Sequence, residues 1–197
     1  IHKALRKKKT GVPQIHYVAP QVWAWKKKRA RTMYKYIDRL LTLFPYEPKY
    51  FTPYHLPTDF IGHPVIESEA VHADAKAFYE KFNIPEERKI MAGLPGSRKN
   101  EVCKLLPVFL EAAEKIHQEH PEYYFVMPTV KTVAETVKKA VAESRLPLIV
   151  TETETDRYNA FKASAAAIAA SGTVALELAI LDVPHLIGYK VSALSAW

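Results

Sequence analysis

Cysteine, metal-ligand clusters and long apolar runs are all scarce or missing in this 197-residue chain. Its single cysteine, Cys103, excludes an intramolecular disulfide and fits a reducing compartment. The eight histidines are scattered, and His117 and His120, three positions apart, are expected to be surface residues at a helix end, so we expect no bound metal. No apolar run approaches the roughly 18 residues that a helix needs to cross a bilayer, so no transmembrane span is predicted.

Acidic residues are nearly missing from the first 39 positions, where Asp38 stands against 12 lysines and arginines. The net charge of the whole chain is only +7, so the remaining residues are net acidic. Such a basic block is typical of a surface that meets nucleic acid or an anionic membrane.

Within the basic block, two tryptophans precede a run of four cations: Trp23, Trp25, Lys26, Lys27, Lys28 and Arg29. The commoner outcome for such a segment is a solvated basic helix, predicted at 26–36, whose aromatic rings pack into the core. The functional interpretation is membrane contact, with the rings at headgroup depth and the lysines facing anionic lipid. We favour membrane over nucleic acid because the sequence carries no recognised nucleic-acid reader motif.

Strand-like and helix-like runs alternate from Gly11 onward, which indicates an α/β fold with a parallel sheet covered on both faces. The clearest series begins with a strand at 89–94 and a helix at 100–120, in which Pro107 predicts a kink or a later helix start. Residues 1–67 hold too few elements for a complete sheet, so we expect them to be the tail of a domain that begins upstream. We also expect the chain to continue beyond its last residue.

Two loops, each between a predicted strand and a predicted helix, carry the strongest functional signal. Leu94 to Arg98 forms the first, with Ser97 and Arg98 at its end, and Ser171, Gly172 and Thr173 form the second. Backbone N–H groups in such turns bind anions, and an arginine grips phosphate as a fork. Glu177 lies one helical turn past Thr173 and could accept two ribose hydroxyls. Together these features indicate a nucleoside diphosphate site at the carboxyl edge of the sheet.

Each of these residues also has a purely structural interpretation. Ser97 could cap a helix while Arg98 is solvated, and Ser171 to Thr173 could be a helix cap eased by Gly172. Glu101 fits a structural role in the first turn. His63, in a Gly-His-Pro turn at a predicted boundary, is a weak candidate for phosphate binding. The paired loops, rather than either one alone, favour function.

Several blocks of the sequence resemble the lipid-A-disaccharide synthase family of glycosyltransferases. They occur in the family's order and span nearly the whole chain: HYVAPQVWAW at 16–25, FIGHP at 60–64, LPGSRKNE at 94–101, ASGTVALE at 170–177 and GY at 188–189. The VWAW and LPGSR segments together are specific, whereas neither small loop would be so alone.

The resemblance implies a GT-B architecture built from two Rossmann-like domains. Residues 1–67 would end the N-terminal, acceptor-side domain, 68–88 would be a linker and connecting helix, and 89–197 would be the UDP-binding domain, truncated at its C-terminus. The implied reaction is inverting: 2,3-diacylglucosamine passes from UDP to 2,3-diacylglucosamine 1-phosphate (lipid X), giving the β-1,6 lipid A disaccharide 1-phosphate and UDP.

The resemblance also implies roles for single residues. Arg98 would stabilise the phosphate charge of departing UDP, Ser97 and Ser171 to Thr173 would bind the donor, and Glu177 would hold its ribose. The family's proposed catalytic aspartate lies upstream, so no general base is assigned here. The UDP-sugar is a substrate, and no cofactor is expected.

The same resemblance places the protein in the cytoplasm, peripheral on the inner membrane of a Gram-negative-type bacterium, and it allows a homodimer. No nucleic-acid partner is expected. Two alternatives stay open at this point. One is another UDP-sugar GT-B enzyme, such as a cell-wall N-acetylglucosaminyltransferase or an epimerase. The other is a non-catalytic module that binds anionic surfaces through its basic end.

Overall fold

Two units make up the chain in the computed structural model, Ile1–Pro64 and Val65–Trp197, and each is described by itself. The structure describes residues 1–190, so the last part of the domain predicted at 89–197 lies outside the described residues. No helix within residues 1–190 is long and apolar enough to cross a membrane.

The first unit contains a three-stranded parallel sheet in the order β1-β2-β3. Its elements are α1 (His2–Lys7), β1 (Ile15–Tyr17), a 3₁₀ helix (Lys27–Arg29), α2 (Ala30–Met33), β2 (Arg39–Thr42), 3₁₀ helices (Pro48–Tyr50, Thr52–Tyr54) and β3 (Thr58–Phe60). The central strand supplies Leu40, which is fully buried and clusters with Met33, Phe51 and Leu56. The core of this unit is therefore small and centred on β2.

The basic helix predicted at 26–36 is much shorter in the structure. Lys26 has a left-handed backbone with φ of 54°, so the chain turns there before entering the 3₁₀ helix. Only Ala30 and Met33, three positions apart, are buried in α2. This short apolar face packs only one turn of helix against the core. The basic residues that precede α2 remain exposed.

The second unit is a five-stranded parallel sheet in the order β6-β5-β4-β7-β8. After 3₁₀ helices at Pro64–Glu67 and Glu69–His72, its elements are α3 (Ala75–Lys81), β4 (Lys89–Leu94), α4 (Lys99–Glu119), β5 (Tyr123–Pro128), α5 (Ala134–Ala142), β6 (Leu148–Thr151), α6 (Glu154–Ala163), β7 (Ser164–Ala170), α7 (Val174–Ile180) and β8 (His185–Gly188).

Helices cover both faces of this sheet, as the alternating sequence predicts. Neighbouring residues of a strand point to opposite faces, and β5 shows this clearly. Val126 joins a cluster with Phe161, while the next residue, Met127, joins another with Phe109 and Val137. The parallel strands therefore have apolar layers on both sides.

Helix α4 passes through Pro107 without ending there, so the predicted helix start at that residue is wrong. Pro107 is exposed, whereas Leu105, Leu106 and Phe109 around it are buried. Burial of this apolar face offsets the backbone hydrogen bond that proline cannot donate.

The order of the strands creates a crevice between β4 and β7. From β4 the chain adds β5 and β6 on one side of the sheet, and then crosses to add β7 and β8 on the other side. Leu94 at the end of β4 lies in register with Ala169 near the end of β7. The two loops predicted to bind phosphate therefore leave the sheet side by side, at the point where ligands bind in such folds.

Candidate functional site

A cavity of about 270 Å³ lies in the second unit at the carboxyl ends of the central strands. Six residues that the sequence predicts to bind ligand line it: Ser97, Arg98, Ser171, Gly172, Thr173 and Glu177. His63 belongs to the first unit, where its ring centroid lies 5.6 Å from that of Phe44. A role for His63 in phosphate binding stays a prediction.

Gly96 shapes the first loop. Its φ of +112° suits glycine alone among ordinary residues, and a Cβ at this position would collide with the carboxylate of Glu101. That carboxylate accepts a hydrogen bond of 3.3 Å from the backbone N–H of Ser97. Glu101 therefore holds the loop in shape from the first turn of α4.

Neither polar residue at the end of this loop serves as a helix cap through its side chain. The N-cap of α4 is Arg98, with an extended backbone and no side-chain cap bond, so the capping position expected for Ser97 is wrong by one residue. Arg98 is exposed, lines the cavity and forms no ion pair with any residue in 1–190. Its guanidinium is available to an anionic ligand.

The second loop also lacks the capping bond that its structural interpretation requires. Thr173 occupies the N-cap of α7 but makes no side-chain hydrogen bond there. Ser171, Gly172 and Thr173 are all exposed and line the same cavity as Arg98. These three residues therefore border space that a ligand can occupy.

The two carboxylate oxygens of Glu177 have different surroundings, although the side chain as a whole is only 13% exposed. Oε1 accepts a hydrogen bond of 3.4 Å from the Tyr158 hydroxyl and lies 3.5 Å from Nη2 of Arg157. Oε2 is buried and has no hydrogen-bond partner among residues 1–190. A carboxylate among apolar neighbours needs partners, and the protein supplies them on one oxygen alone.

Arg157, which the sequence analysis did not single out, also lines the cavity. Its guanidinium lies 4.6 Å from the centroid of the Tyr158 ring and 3.5 Å from a carboxylate oxygen of Glu154. No motif marks this arginine, because its approach to Glu177 depends on side chains of α6 and α7 that meet only in the folded protein.

Asp156, the residue before Arg157, holds the start of helix α6 in place. Asp156 accepts hydrogen bonds of 2.7 and 2.8 Å from Lys81 of α3 and one of 2.6 Å from Thr153. Burial alone acts to raise the pKa of Asp156, but these hydrogen bonds outweigh it and leave the pKa below its usual value. The start of α6 is therefore anchored by a charged group.

Thr129 is a second cavity residue that sequence reasoning missed. It follows β5, is only 8% exposed, and its hydroxyl has no partner among residues 1–190. Unpartnered buried polar atoms are uncommon in proteins. Three of those found here belong to cavity-lining residues: Thr129 Oγ1, Arg157 Nε and Glu177 Oε2.

The two tryptophans of the basic block have different surroundings in the first unit. Trp23 is partly buried against the core, with its ring 5.3 Å from Tyr46 and 5.8 Å from Tyr50. Trp25 is 71% exposed, and the Lys26 ammonium lies 5.9 Å from its ring. Trp23 thus follows the core interpretation, while Trp25 and the exposed cations Lys27, Lys28 and Arg29 leave membrane contact as a prediction.

Within residues 1–190, no three His, Cys, Asp or Glu side chains are grouped as metal ligands. That the protein works without a metal or cofactor stays a prediction.

Comparison with solved structures agrees with the predicted α/β fold. The crystal structure of α,α-trehalose 6-phosphate synthase from Burkholderia multivorans matches 94% of this chain and 53% of its own, with a TM-score of 0.50. Only 12% of aligned residues are identical, so the likeness concerns the fold alone.

The family follows from the sequence comparisons. The family model described as lipid-A-disaccharide synthetase matches residues 1–197, and the chain belongs to this family. It is 46% identical to lipid-A-disaccharide synthases of Rhodospirillum centenum, over 195 residues, and of Paramagnetospirillum magneticum, over 197 residues. These matches cover 99% and 100% of the chain but 49% and 50% of the relatives, so the chain spans about half their length.

Proposed function

We propose that this chain is the part of a lipid-A-disaccharide synthase that binds the UDP of the donor sugar. One observation carries the proposal: Arg98, the Ser171 to Thr173 loop and Glu177 line a single cavity at the switch point of a parallel sheet. The cavity offers a guanidinium and loop N–H groups for phosphate oxygens and the carboxylate of Glu177 for a ribose hydroxyl.

In the full-length protein, the proposed reaction moves 2,3-diacylglucosamine from UDP to lipid X. An acceptor hydroxyl oxygen forms a bond to the anomeric carbon while the bond from that carbon to the UDP oxygen breaks. UDP leaves with the bonding electron pair, and the hydroxyl proton passes to a base that we do not assign to this chain. Arg98 and the loop N–H groups would stabilise the charge that gathers on the departing diphosphate.

The direct experiment has two parts. Calorimetric titration of UDP should show binding to the protein, and Arg98→Ala should then lower kcat of the full-length enzyme about a hundredfold, as removal of one oriented charge donor does elsewhere. Lys99→Ala removes a neighbouring exposed cation that does not line the cavity and should leave kcat unchanged. Unchanged turnover in Arg98→Ala would remove Arg98 from the mechanism, and absence of UDP binding would refute the proposal.

The acyl chains of the donor separate this proposal from a cell-wall transferase or epimerase of similar fold. Family membership favours the lipid A reaction, so we expect turnover with acylated UDP-glucosamine and none with the unacylated sugar. The opposite preference would favour the cell-wall enzymes.

Both proposed substrates carry acyl chains, and we therefore propose that the protein works as a peripheral protein on the cytoplasmic face of the inner membrane. Exposed Trp25 and the cations after it supply a suitable surface in the first unit. A homodimer stays an expectation from the family resemblance.

A further inference from the structure

We infer that Arg157 is a positioning residue for Glu177, holding one carboxylate oxygen so that the other stays unpaired and can accept a hydrogen bond from a ribose hydroxyl. The inference rests on the proposed function, since it concerns the ribose of the same bound nucleotide. It assigns a role to a residue that no motif of the sequence marks.

The asymmetry of the Glu177 carboxylate is the starting observation. The Tyr158 hydroxyl donates a hydrogen bond to Oε1, and Nη2 of Arg157 forms an ion pair with the same oxygen. Oε2 is buried without a partner among the described residues. A buried acceptor without a hydrogen bond raises the free energy of the protein without ligand. A ligand hydroxyl that donates a hydrogen bond to this oxygen would remove that penalty.

Arg157 is suited to hold the carboxylate because its own position is fixed. The preceding residue, Asp156, is tied to Lys81 and to Thr153 by short hydrogen bonds. The guanidinium then stacks against the ring of Tyr158, which is itself only 2% exposed. A planar, permanently charged group held from two sides can fix the orientation of a carboxylate more firmly than a flexible ammonium.

Ribose is the part of the nucleotide that this arrangement fits. Ionised carboxylates only accept hydrogen bonds, and the ribose diol offers two donors, whereas the diphosphate offers acceptors. Arg157 should therefore affect how well the protein recognises the ribose hydroxyls, and affect diphosphate binding much less.

The test compares the dissociation constants of UDP and 2′,3′-dideoxy-UDP, measured by calorimetry on the full-length protein. The wild type should bind UDP more tightly. The dissociation constant of the dideoxy ligand divided by that of UDP should therefore exceed one, and this ratio measures ribose recognition. Arg157→Gln should lower this ratio about fivefold to tenfold, the scale of one hydrogen bond, with little change for the dideoxy ligand. Arg157→Lys, which keeps a cation, should restore part of the ratio.

Glu154→Gln is the matched control, because it removes the other carboxylate that pairs with Arg157 while Glu177 stays intact. It should leave the ratio unchanged. Should Arg157→Gln fail to fold, as judged by circular dichroism, Tyr158→Phe removes the hydrogen bond that Oε1 accepts and is expected to lower the ratio in the same direction.

The outcomes separate this inference from the proposal beneath it. A wild type that binds no UDP overturns both. A wild type that binds UDP but does not distinguish it from the dideoxy ligand overturns the inference and leaves UDP binding standing. The same holds if Arg157→Gln keeps the ratio, or weakens both ligands equally, since equal weakening indicates a merely structural role.

Discussion

Two glutamates with little exposed surface, one in each unit, have different hydrogen-bond partners. Glu47 in the first unit is 2% exposed, and its Oε2 accepts hydrogen bonds of 2.9 Å from the backbone N–H groups of both Leu43 and Phe44. Glu177 in the second unit has one oxygen engaged and the other without a partner among residues 1–190. The first carboxylate closes a turn of its own chain, whereas the second retains an acceptor for something else.

Two buried threonines repeat the contrast. The Thr42 hydroxyl, in β2 of the first unit, donates a hydrogen bond of 3.2 Å to the carbonyl of Asp59. The Thr129 hydroxyl, after β5 of the second unit, has no partner within the described chain and lines the cavity. Polar groups that stabilise a fold are satisfied by the fold, and those left open beside a cavity point to a ligand.

The largest expected difference concerns the two glutamates. Glu47→Ala should lower the free energy of unfolding by about 3 kcal/mol, because two partly buried N–H groups lose a charged acceptor. Glu177→Ala should lower it by only about 1 kcal/mol but should weaken UDP binding about tenfold, and inorganic pyrophosphate binding much less. Urea denaturation and calorimetry give the two quantities. Equal losses for UDP and pyrophosphate would refute the ribose contact.

A smaller effect is expected for the threonines. Thr42→Val should lower the free energy of unfolding by about 1 kcal/mol, because it removes a satisfied hydroxyl and leaves the Asp59 carbonyl without that donor. Thr129→Val should leave stability unchanged or raise it, since the buried hydroxyl that it removes is unpartnered. Urea denaturation of both variants measures the difference, and a Thr129→Val protein as destabilised as Thr42→Val would contradict the contrast.

The smallest expected effect concerns the tryptophans of the first unit. Trp25→Ala should weaken sedimentation with anionic vesicles severalfold while leaving the unfolding midpoint in place, because its ring is exposed. Trp23→Ala should lower the midpoint, because its ring packs on Tyr46 and Tyr50. A salt series shows whether the basic residues contribute to vesicle binding. Vesicle binding that ignores both Trp25→Ala and salt would refute membrane contact through this segment.

Local pattern was enough to locate most elements of the second unit. The strand predicted at 89–94 is β4, Lys89–Leu94, and the helix predicted at 100–120 is α4, Lys99–Glu119. Both are long enough for hydrophobic periodicity to be read along the chain. The basic helix predicted at 26–36 is longer than the helices observed there. A run of lysines carries no information about how many apolar residues face the core.

The cavity residues divide in the same way. Arg98, Glu177 and the Ser171 to Thr173 loop follow strands or begin helices, so their place at one edge of the sheet could be predicted from the order of elements. Arg157 and Thr129 could not be found so, because neither belongs to a recognisable turn. Their importance depends on side chains from separate elements that meet only after the sheet forms.

The sequence by itself determined the α/β class, the two small-residue loops and the chemical character of the candidate site, since each depends on residue type and on spacing along one segment. Tertiary structure alone decided which oxygen of Glu177 is engaged, which tryptophan of the basic block is exposed and which threonine hydroxyl is left without a partner. The physical reason is that hydrogen-bond satisfaction and burial depend on neighbours distant in sequence, and only the packed fold brings those neighbours within bonding distance.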